Sequence, residues 1–378
     1  MNWFRDNIVK IIIILVIAIL VIIFAVACSA FSGGGNNPTG TESGTSYQEL
    51  ETKLKNAAIN YVNKNRELLP KSSSINTKIN LDTLVSNRKI KELHALDDSN
   101  VTCSGYVEII KNDETNSYRY NPYIRCGNYY ETSKMANYLI NKGVVTSGDG
   151  LYNINGEYVY RGDNPNNYIK INERLYRILR ITEDGNLKLI TTKRTGDSFI
   201  YDDRFNSDIK KYYGINDYSL SRIKVSLEKL YNASSNNNDA YFSDLEKSYM
   251  INADFCVGKR SINDTSISSS TECSTISNQK VGTINIEDYY MISTSTKCAS
   301  TSNLECNNYN YLYNYDYKTF LTLIGNRDES YTYLFIDSGA INTARASKGY
   351  RIYPVIYLDS EILYLSGNGT LENPYILR

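Results

Sequence analysis

Cysteine is the residue type whose number and spacing in this sequence point most directly to chemistry. Besides Cys28, the chain has an even set of cysteines: Cys103, Cys126, Cys256, Cys273, Cys298 and Cys306. In an exported chain such a set is typical of structural disulfides, and about fifteen pairings can be drawn. No CxxC pair occurs and His94 is the only histidine, so the sequence favours neither a zinc site nor redox catalysis.

A hairpin pattern indicates how the first two cysteines pair. Residues 105–111 (GYVEIIK) and 118–125 (YRYNPYIR) are predicted strands, and residues 112–116 (NDETN) between them are rich in turn formers. A symmetric hairpin folded at this turn places Cys103 opposite Cys126, at a cross-strand distance that suits a disulfide.

The pairing of the later cysteines stays open. The local solution joins Cys256 to Cys273 and Cys298 to Cys306, and a nested pairing is the alternative. Closing the Ser/Thr-rich loop between Cys256 and Cys273 contributes about 3 kcal/mol in the chain-entropy treatment of disulfides. In either arrangement the bridges are predicted to be structural.

Other side chains with catalytic chemistry occur in patterns that do not define an active site. His94 lies far in sequence from any serine elbow, and no phosphate-binding GxxxxGK[ST] pattern occurs. The carboxylates Asp202, Asp203, Glu287 and Asp288 could serve a hydrolase or a calcium site, but no EF-hand spacing surrounds them. The sequence therefore predicts a non-enzyme without metal or cofactor, and a surface hydrolase that uses these carboxylates is an alternative.

The N-terminal segment, residues 1–31, decides on which side of a membrane the rest of the chain lies. Residues 11–31 carry no charge and, at about 1.5 Å per residue, form a helix just long enough to cross a hydrocarbon core of about 30 Å. Arg5 and Lys10 precede this stretch and the next charge is Glu42, so the basic flank should stay in the cytoplasm. The pattern predicts a single-pass plasma-membrane protein whose C-terminal bulk is extracellular.

Two other interpretations of this segment also export the chain. A cleaved signal could end at Ala25, Val26 and Ala27, and Cys28 would then come next. This arrangement resembles the lipobox of bacterial lipoproteins, in which the cysteine becomes the lipidated N-terminus. Cys28 is therefore a candidate lipidation site, and plain secretion is the third interpretation.

Composition limits the partners and the number of domains. The 378 residues include 41 acidic and 41 basic side chains, so no bulk charge attracts the chain to nucleic acid. Its length leaves room for two domains besides the anchor. The chain has 35 tyrosines; AT-rich coding accounts for most of them, and the functional alternative is that tyrosines and amides form contact surfaces in binding sites.

A small α+β module is predicted over residues 47–131. It follows a flexible Gly/Ser/Asn/Thr linker, residues 32–46. Ser46 begins a helix that is expected to continue to Pro70, and a second helix is expected over residues 81–93. These helices and the cysteine hairpin make up the module.

Residues 132–149 are predicted to connect this module to a second one. They include a helix that is capped by Thr132 or Ser133 and ended by Gly143. The second module, residues 150–378, is predicted to be antiparallel and β-rich, with helices and long disulfide-bridged loops.

Two hairpins open the second module. The first joins residues 150–153 to 157–161 through Asn155-Gly156, a strong turn signal. The second joins residues 174–181 to 186–192. Its expected core consists of Leu175, Ile178 or Leu179, Ile181, Leu187, Leu189 and Ile190.

Further along, Ser219 and Asp239 are predicted to cap two helices. The segment between Cys256 and Cys306 is Ser, Thr and Asn rich and contains a strand-like stretch at 280–286. Predicted strands then cover residues 349–358 and 362–365, and Glu372-Asn373-Pro374 is a predicted turn.

The first third of the chain resembles the pilin-like and pseudopilin-like exported proteins of Gram-positive bacteria. The resemblance lies in an apolar N-terminal helix, the amphipathic stretch YQELETKLKNAAINY and the strand sequence CSGYVEI. It implies a small exported module of that type.

The second module resembles an uncharacterised domain that recurs on bacterial surface proteins. The matching stretches are YRGDNPNNYIKINERLYRILRI, DGNLKLI, VGTINIEDY and YRIYPVIYLDSEILYLSGNGTLENPY. Terminal strands that bracket a loop-rich middle are also similar in layout to C-type-lectin-like folds.

The sequence thus predicts a non-catalytic surface protein of the binding or adhesion type, anchored in the membrane. Loops on a rigid scaffold commonly carry binding, so the loops after Cys256 and the exposed tyrosines are the expected contacts for a glycan or a surface protein. A pilin-like or secretion-apparatus component is the alternative.

Overall fold

A computed structural model describes residues 46–114, 116–233, 241–268, 270–314 and 319–378. The predicted membrane segment and Cys28 lie outside these residues. Within the described ranges, no helix combines the length and the apolar character that crossing a membrane requires. The residues from Ser46 to Arg378 form one unit that contains two hydrophobic cores.

The first core, between Leu50 and Cys126, lies under a four-stranded antiparallel sheet with the order β1-β2-β3-β4. Its elements are α1 (Tyr47–Val62), β1 (Thr77–Asn80), α2 (Leu81–Ser86), β2 (Ser104–Asn112), β3 (Ser117–Cys126) and β4 (Tyr130–Glu131). Leu54, Ala58 and Val62 of α1 are fully buried in this core. β2 and β3 form the predicted hairpin, and Ser104 pairs with Arg125.

The two helices begin as predicted and end earlier. The Ser46 hydroxyl accepts a hydrogen bond from the Glu49 amide at the start of α1. The helix ends at Val62 because the Asn65 side chain donates to the carbonyl of Tyr61, which satisfies a helix-end acceptor well before Pro70. In α2, the Asn87 side chain donates in the same way to Thr83.

The second core, between Met135 and Leu377, surrounds a sheet with the order β14-β19-β9-β8-β7-β21-β20. Its elements up to β9 are α3 (Met135–Lys142), β5 (Gly150–Ile154), β6 (Glu157–Arg161), β7 (Tyr168–Ile171), β8 (Arg174–Ile181) and β9 (Leu187–Thr191). The later members of the sheet are β14 (Val281–Gly282), β19 (Val355–Leu358), β20 (Tyr364–Ser366) and β21 (Tyr375–Leu377). Most neighbours are antiparallel, but β21 runs parallel to β7.

Both hairpins predicted at the start of this region are present. Asn155 and Gly156 have positive φ angles of 54° and 94°, as a two-residue hairpin turn of β5 and β6 requires. In the second hairpin, a bulge between Ile178 and Arg180 shifts the register of β8 against β9. Both Ile178 and Leu179 are therefore buried, whereas Leu175, which was expected in the core, is only half-buried.

A second sheet, with the order β12-β15-β16-β17, packs on the same core. Its strands are β12 (Lys259–Arg260), β15 (Thr319–Asn326), β16 (Thr332–Asp337) and β17 (Ala340–Arg345). Two strand pairs complete the β structure: β10 (Phe199–Ile200) with β18 (Gly349–Tyr350), and β11 (Ala253–Cys256) with β13 (Ile276–Gln279). No strand was predicted at β15, β16 or β17.

The helices of this region are α4 (Arg222–Asn232), α5 (Asp244–Tyr249), α6 (Ile286–Met291) and α7 (Tyr311–Asn314). The prediction that Ser219 caps α4 is wrong, because Ser221 accepts the capping hydrogen bond from Lys224. Asp239 lies outside the described residues, and Ser243 forms the capping box of α5 with Glu246.

Two further predictions need correction. Lys134 precedes α3, so Thr132 and Ser133 do not cap it; the buried Thr132 hydroxyl contacts the Glu51 carboxylate instead. The stretch 280–286 is a strand only at β14, because Asn285 caps α6 immediately afterwards. The observed fold is thus a mixed α+β fold whose sheets are mostly antiparallel.

Candidate functional site

Three disulfides fix the hairpin and the loops. They join Cys103 to Cys126, Cys256 to Cys273 and Cys298 to Cys306. These are the hairpin pairing and the two local pairings; the nested alternative does not occur. The first bridge closes the base of the hairpin. The other two each close a loop of the second region, by which we mean the part of the chain that builds the second core, from Met135 to Leu377, together with Arg378.

The loop between Cys256 and Cys273 is folded around one buried arginine. Arg260 is fully buried and pairs with Glu272 at 3.2 Å. Its guanidinium also donates to the carbonyls of Asp264, Ser266 and Ser268. Burial raises the pKa of Glu272 above its usual value although the arginine opposes this shift. The loop is therefore a packed structural element.

Three of the four carboxylates considered for a hydrolase, Asp202, Asp203 and Asp288, are bound to cations. Asp202 is buried and accepts hydrogen bonds from Arg204 at 2.7 Å and from the amide of Ile215 at 2.8 Å. Asp203 forms an ion pair with Arg222. These contacts serve the local structure, and they leave neither carboxylate positioned as a free acid or base.

Asp288 lies in the second core, where two cations hold it. Its carboxylate is 2.5 Å from Lys188 Nζ and 2.6 Å from Arg180 Nη2. Burial alone would raise the pKa of Asp288, but the two cations outweigh that effect and keep the pKa below its usual value. Its neighbour Glu287 is half-buried and lines a small cavity beside Cys256. Asp288 is thus a structural anion.

His94 and the described acidic residues do not assemble a metal site. The His94 ring lies 4.0 Å from the Glu92 carboxylate; the His94 side chain is half-buried and that of Glu92 is exposed. Across the described ranges, no group of three or more His, Cys, Asp or Glu side chains is arranged to hold a metal ion. Glu372, Asn373 and Pro374 lie in a bend, where the Asn373 carbonyl accepts from the amides of two preceding residues.

A cleft of about 440 Å³ lies where the tip of the β2–β3 hairpin meets the second region. We call it the hairpin cleft. Helix α4 forms one wall, and the end of β13 and the start of β14 form the other, with Leu227 and Val281 buried between them. Its polar lining residues are Glu114, Lys224, Glu228, Tyr231, Asn232, Lys247, Asn252, Asn278, Gln279 and Lys280.

Tyr231 is the central side chain of the hairpin cleft. Lys247 Nζ and Lys280 Nζ each lie 5.6 Å from the centre of its ring. Both ammonium groups also donate to backbone carbonyls, Lys247 to Ala233 at 2.6 Å and Lys280 to Met250 at 3.2 Å. The two cations are therefore held in place beside an aromatic ring.

Glu114, in the turn between β2 and β3, reaches into the hairpin cleft. One carboxylate oxygen is 3.1 Å from Lys280 Nζ, and the other accepts from the Tyr231 hydroxyl at 2.7 Å. Burial would raise the pKa of Glu114, but these two contacts outweigh it and lower the pKa. Burial and the bond to Glu114 raise the pKa of the Tyr231 hydroxyl. The cleft thus binds a carboxylate through both oxygens.

A second cleft, of about 710 Å³, lies beside the Cys298–Cys306 bridge, and we call it the loop cleft. The exposed Tyr309 lines it. Its charged lining residues in the described part of the chain are Asp163, Lys297 and Glu305. It is wider than the hairpin cleft and carries less positive charge.

Comparison of the chain with known protein families, with curated proteins and with solved structures finds no match in any of the three.

The residues of the hairpin cleft were not singled out from the sequence. Tyr231 and Glu114 are 117 residues apart, and no local pattern links them. The available signal was the position of Glu114 in a predicted hairpin turn, where a side chain is free to reach another part of the molecule. The partner of that side chain depends on how the two cores pack.

Proposed function

We propose that the protein is a membrane-anchored, extracellular binding protein that holds a glycan in the hairpin cleft and catalyses no reaction. A surface protein is the alternative ligand. The observation that carries the proposal is the cleft itself, which combines a tyrosine ring, two fixed ammonium groups and a row of side-chain amides. Such groups provide the hydrogen bonds that sugar hydroxyls need.

The extracellular location is supported by the sulfur chemistry. The six cysteines after the apolar segment are paired in three bridges, and such bridges persist in oxidising compartments. The uncharged stretch 11–31 supports the anchor. Protease added to intact host cells should digest the chain beyond residue 46. Protection of this part, together with free thiols in mass spectrometry, would contradict the location.

A glycan array probed with the full chain in detergent tests the binding function. We expect selective binding that Tyr231→Ala abolishes. The matched control is Tyr309→Ala, which removes an exposed tyrosine of the loop cleft and should leave binding unchanged.

Two outcomes would count against the proposal. If no glycan binds, the binding function for glycans is wrong. If Tyr309→Ala abolishes binding while Tyr231→Ala does not, the ligand lies in the loop cleft. Because the Tyr231 ring packs against the second core, Tyr231→Phe is the second variant; it keeps the ring and removes the hydroxyl.

The likeness to pilin-like proteins and to a bacterial surface domain remains a proposal. Copurification of the chain with a pilus-type ATPase machinery would favour the apparatus component over the binding protein.

A further inference from the structure

The carboxylate of Glu114 occupies a site that belongs to the second region of the molecule. Lys280, Tyr231 and Lys247 are held by contacts within that region, and the Lys280 side chain is only 14% exposed. Glu114 is 45% exposed and comes from a turn at the far end of the hairpin. The site is therefore fixed in place, and the carboxylate is its removable component.

The contacts of Glu114 show how the cleft can hold a carboxylate group. Both carboxylate oxygens are used, one by an ammonium group and the other by a phenol hydroxyl. Bidentate contacts of this kind favour a planar carboxylate over a single charged oxygen. Lys247, on the same tyrosine ring, adds a second cation, and no acidic side chain among the described residues lies within ion-pair distance of it.

The rest of the cleft favours a sugar over a peptide side chain. Asn232 and Asn252 line the cleft with Glu114 and offer amide donors and acceptors. Two further lining amides are already engaged: Asn278 donates to Asp254, and the Gln279 amide is hydrogen-bonded to Tyr218, Ser277 and Val281. The apolar lining residues Leu227 and Val281 are buried at the base, so the side chains that a ligand can reach are mainly those of the polar lining residues. A volume of about 440 Å³ accommodates a short oligosaccharide segment.

We infer that the hairpin cleft recognises the carboxylate of an acidic glycan, and that Glu114 occupies this carboxylate position until the glycan displaces it. The inference rests on the proposed function, since it names the ligand class and the regulation of the same site. Glu114 then acts as an internal competitor. Displacement breaks one ion pair and one hydrogen bond of a half-exposed side chain, and the ligand carboxylate restores both.

Isothermal titration calorimetry with the full chain in detergent tests the inference. The probes are oligogalacturonate, its methyl ester and hexaglutamate, which separate the carboxylate, the sugar and the peptide. We expect oligogalacturonate to bind and both other probes to bind at least about tenfold more weakly, because each lacks either the charge or the hydroxyl groups.

Variants of the internal competitor sharpen the test. Glu114→Gln should raise the affinity for oligogalacturonate about fivefold, the effect expected when an exposed ion pair no longer competes. Lys280→Gln should lower it about tenfold. Asp113→Asn is the matched control: this neighbouring carboxylate contacts Lys111 and the amide of Ser73 and should not affect binding.

Each contrary result has a defined meaning. Equal binding of the acid and its methyl ester, or unchanged affinity in Glu114→Gln, overturns the inference but leaves a glycan-binding function intact. Stronger binding of hexaglutamate than of oligogalacturonate assigns the site to a peptide. Absence of binding to these sugars and to every glycan on the array removes the proposed function as well.

Discussion

The two cores differ in how they neutralise buried charge. In the second core, each buried carboxylate has a cation from the same region: Asp288 pairs with Lys188 and Arg180, and Glu272 pairs with Arg260. In the first core, the buried Glu108 lies 3.9 Å from Lys78 of the same sheet. Glu51, which is as deeply buried as Asp288, instead takes its cation, Arg378, from the C-terminal end of the second region.

Because of this difference, the stability of each core depends on the other core to a different degree. Further contacts across their junction are also polar: Arg119 forms an ion pair with Asp359 at 2.5 Å, and the Asn121 side chain donates to the Glu361 carbonyl at 3.0 Å. Without the second region, Glu51 would be a buried carboxylate whose only donors are the hydroxyls of its own core. The second core keeps the ion pairs of Asp288 and Glu272 without the first. We therefore expect the first core to depend on the second, and not the reverse.

The largest effect is expected inside the second core. Lys188→Met leaves Asp288 with Arg180 alone and should lower the free energy of unfolding by about 3 kcal/mol, since it removes one cation from a buried anion. Urea denaturation of the full chain measures the change. In the double variant Lys188→Met, Asp288→Asn, most of the loss should be recovered. A loss below about 1 kcal/mol in the single variant would mean that the buried cluster contributes little.

Low pH should weaken the ion pairs of Asp288 with Lys188 and Arg180. The folded state lowers the pKa of Asp288, so its contribution to stability is complete above the ordinary aspartate pKa of about 3.9 and is lost as pH falls through the lowered value. Melting temperature measured from about pH 5 down to about pH 2 should fall in this range. In Lys188→Met the fall should be smaller. An equal fall in both proteins would assign the acid sensitivity to other carboxylates.

A smaller effect, confined to the first core, is expected at the junction. Arg378→Met removes the cation from Glu51 and should cost about 2 kcal/mol, because the hydroxyls of Tyr130 and Thr132 still donate to the carboxylate. Hydrogen exchange should accelerate in α1 and in the β2–β3 hairpin, and not in β8 or β9. Adding Glu51→Gln should restore protection. Faster exchange in both cores would contradict the unequal dependence.

The smallest effect is expected at an exposed ion pair of the first sheet. Arg125 and Glu131 approach to 3.9 Å, and both side chains are more than 60% exposed, at 64% and 66%. Arg125→Ala should change the free energy of unfolding by less than about 0.5 kcal/mol in urea denaturation. A larger loss would show that surface charge, and not only the junction, stabilises the first core.

Local signals in the sequence predicted local structure well. The Asn155-Gly156 turn, the Ser46 cap and the symmetric cysteine hairpin each depend on residues close in sequence, and each is present. Two serines near the start of α4 are possible caps, and the sequence alone does not show which one is used. In the structure Ser221 caps the helix, and Ser219, two residues earlier, does not. There the Ser219 hydroxyl is bound to Asp217 in a short 3₁₀ turn.

Contacts between residues far apart in the sequence could not be predicted. Strands β15 to β17 were missed, although Phe320, Leu334 and Ile336 in them are buried. The loop between Cys256 and Cys273 is folded around its own Arg260, and the polar cleft depends on the contact of Glu114 with Lys280 across the junction. Such pairings follow from how the sheets pack, which no single stretch encodes.

The contacts of Arg260 also predict which positions of its loop are conserved in evolution. The serines and aspartate that surround the guanidinium contribute mainly carbonyl oxygens, which every amino acid has. Substitution of the serines should therefore be tolerated better than substitution of Arg260. The Asp264 carboxylate is more constrained, because it lies 3.5 Å from Arg260 and accepts from the Ser266 amide at 3.0 Å. A lysine at position 260 could not reach the same ring of oxygens and Glu272 together, because it lacks the planar fork. Among natural variants, we expect Arg260 to be conserved while the serines around it vary.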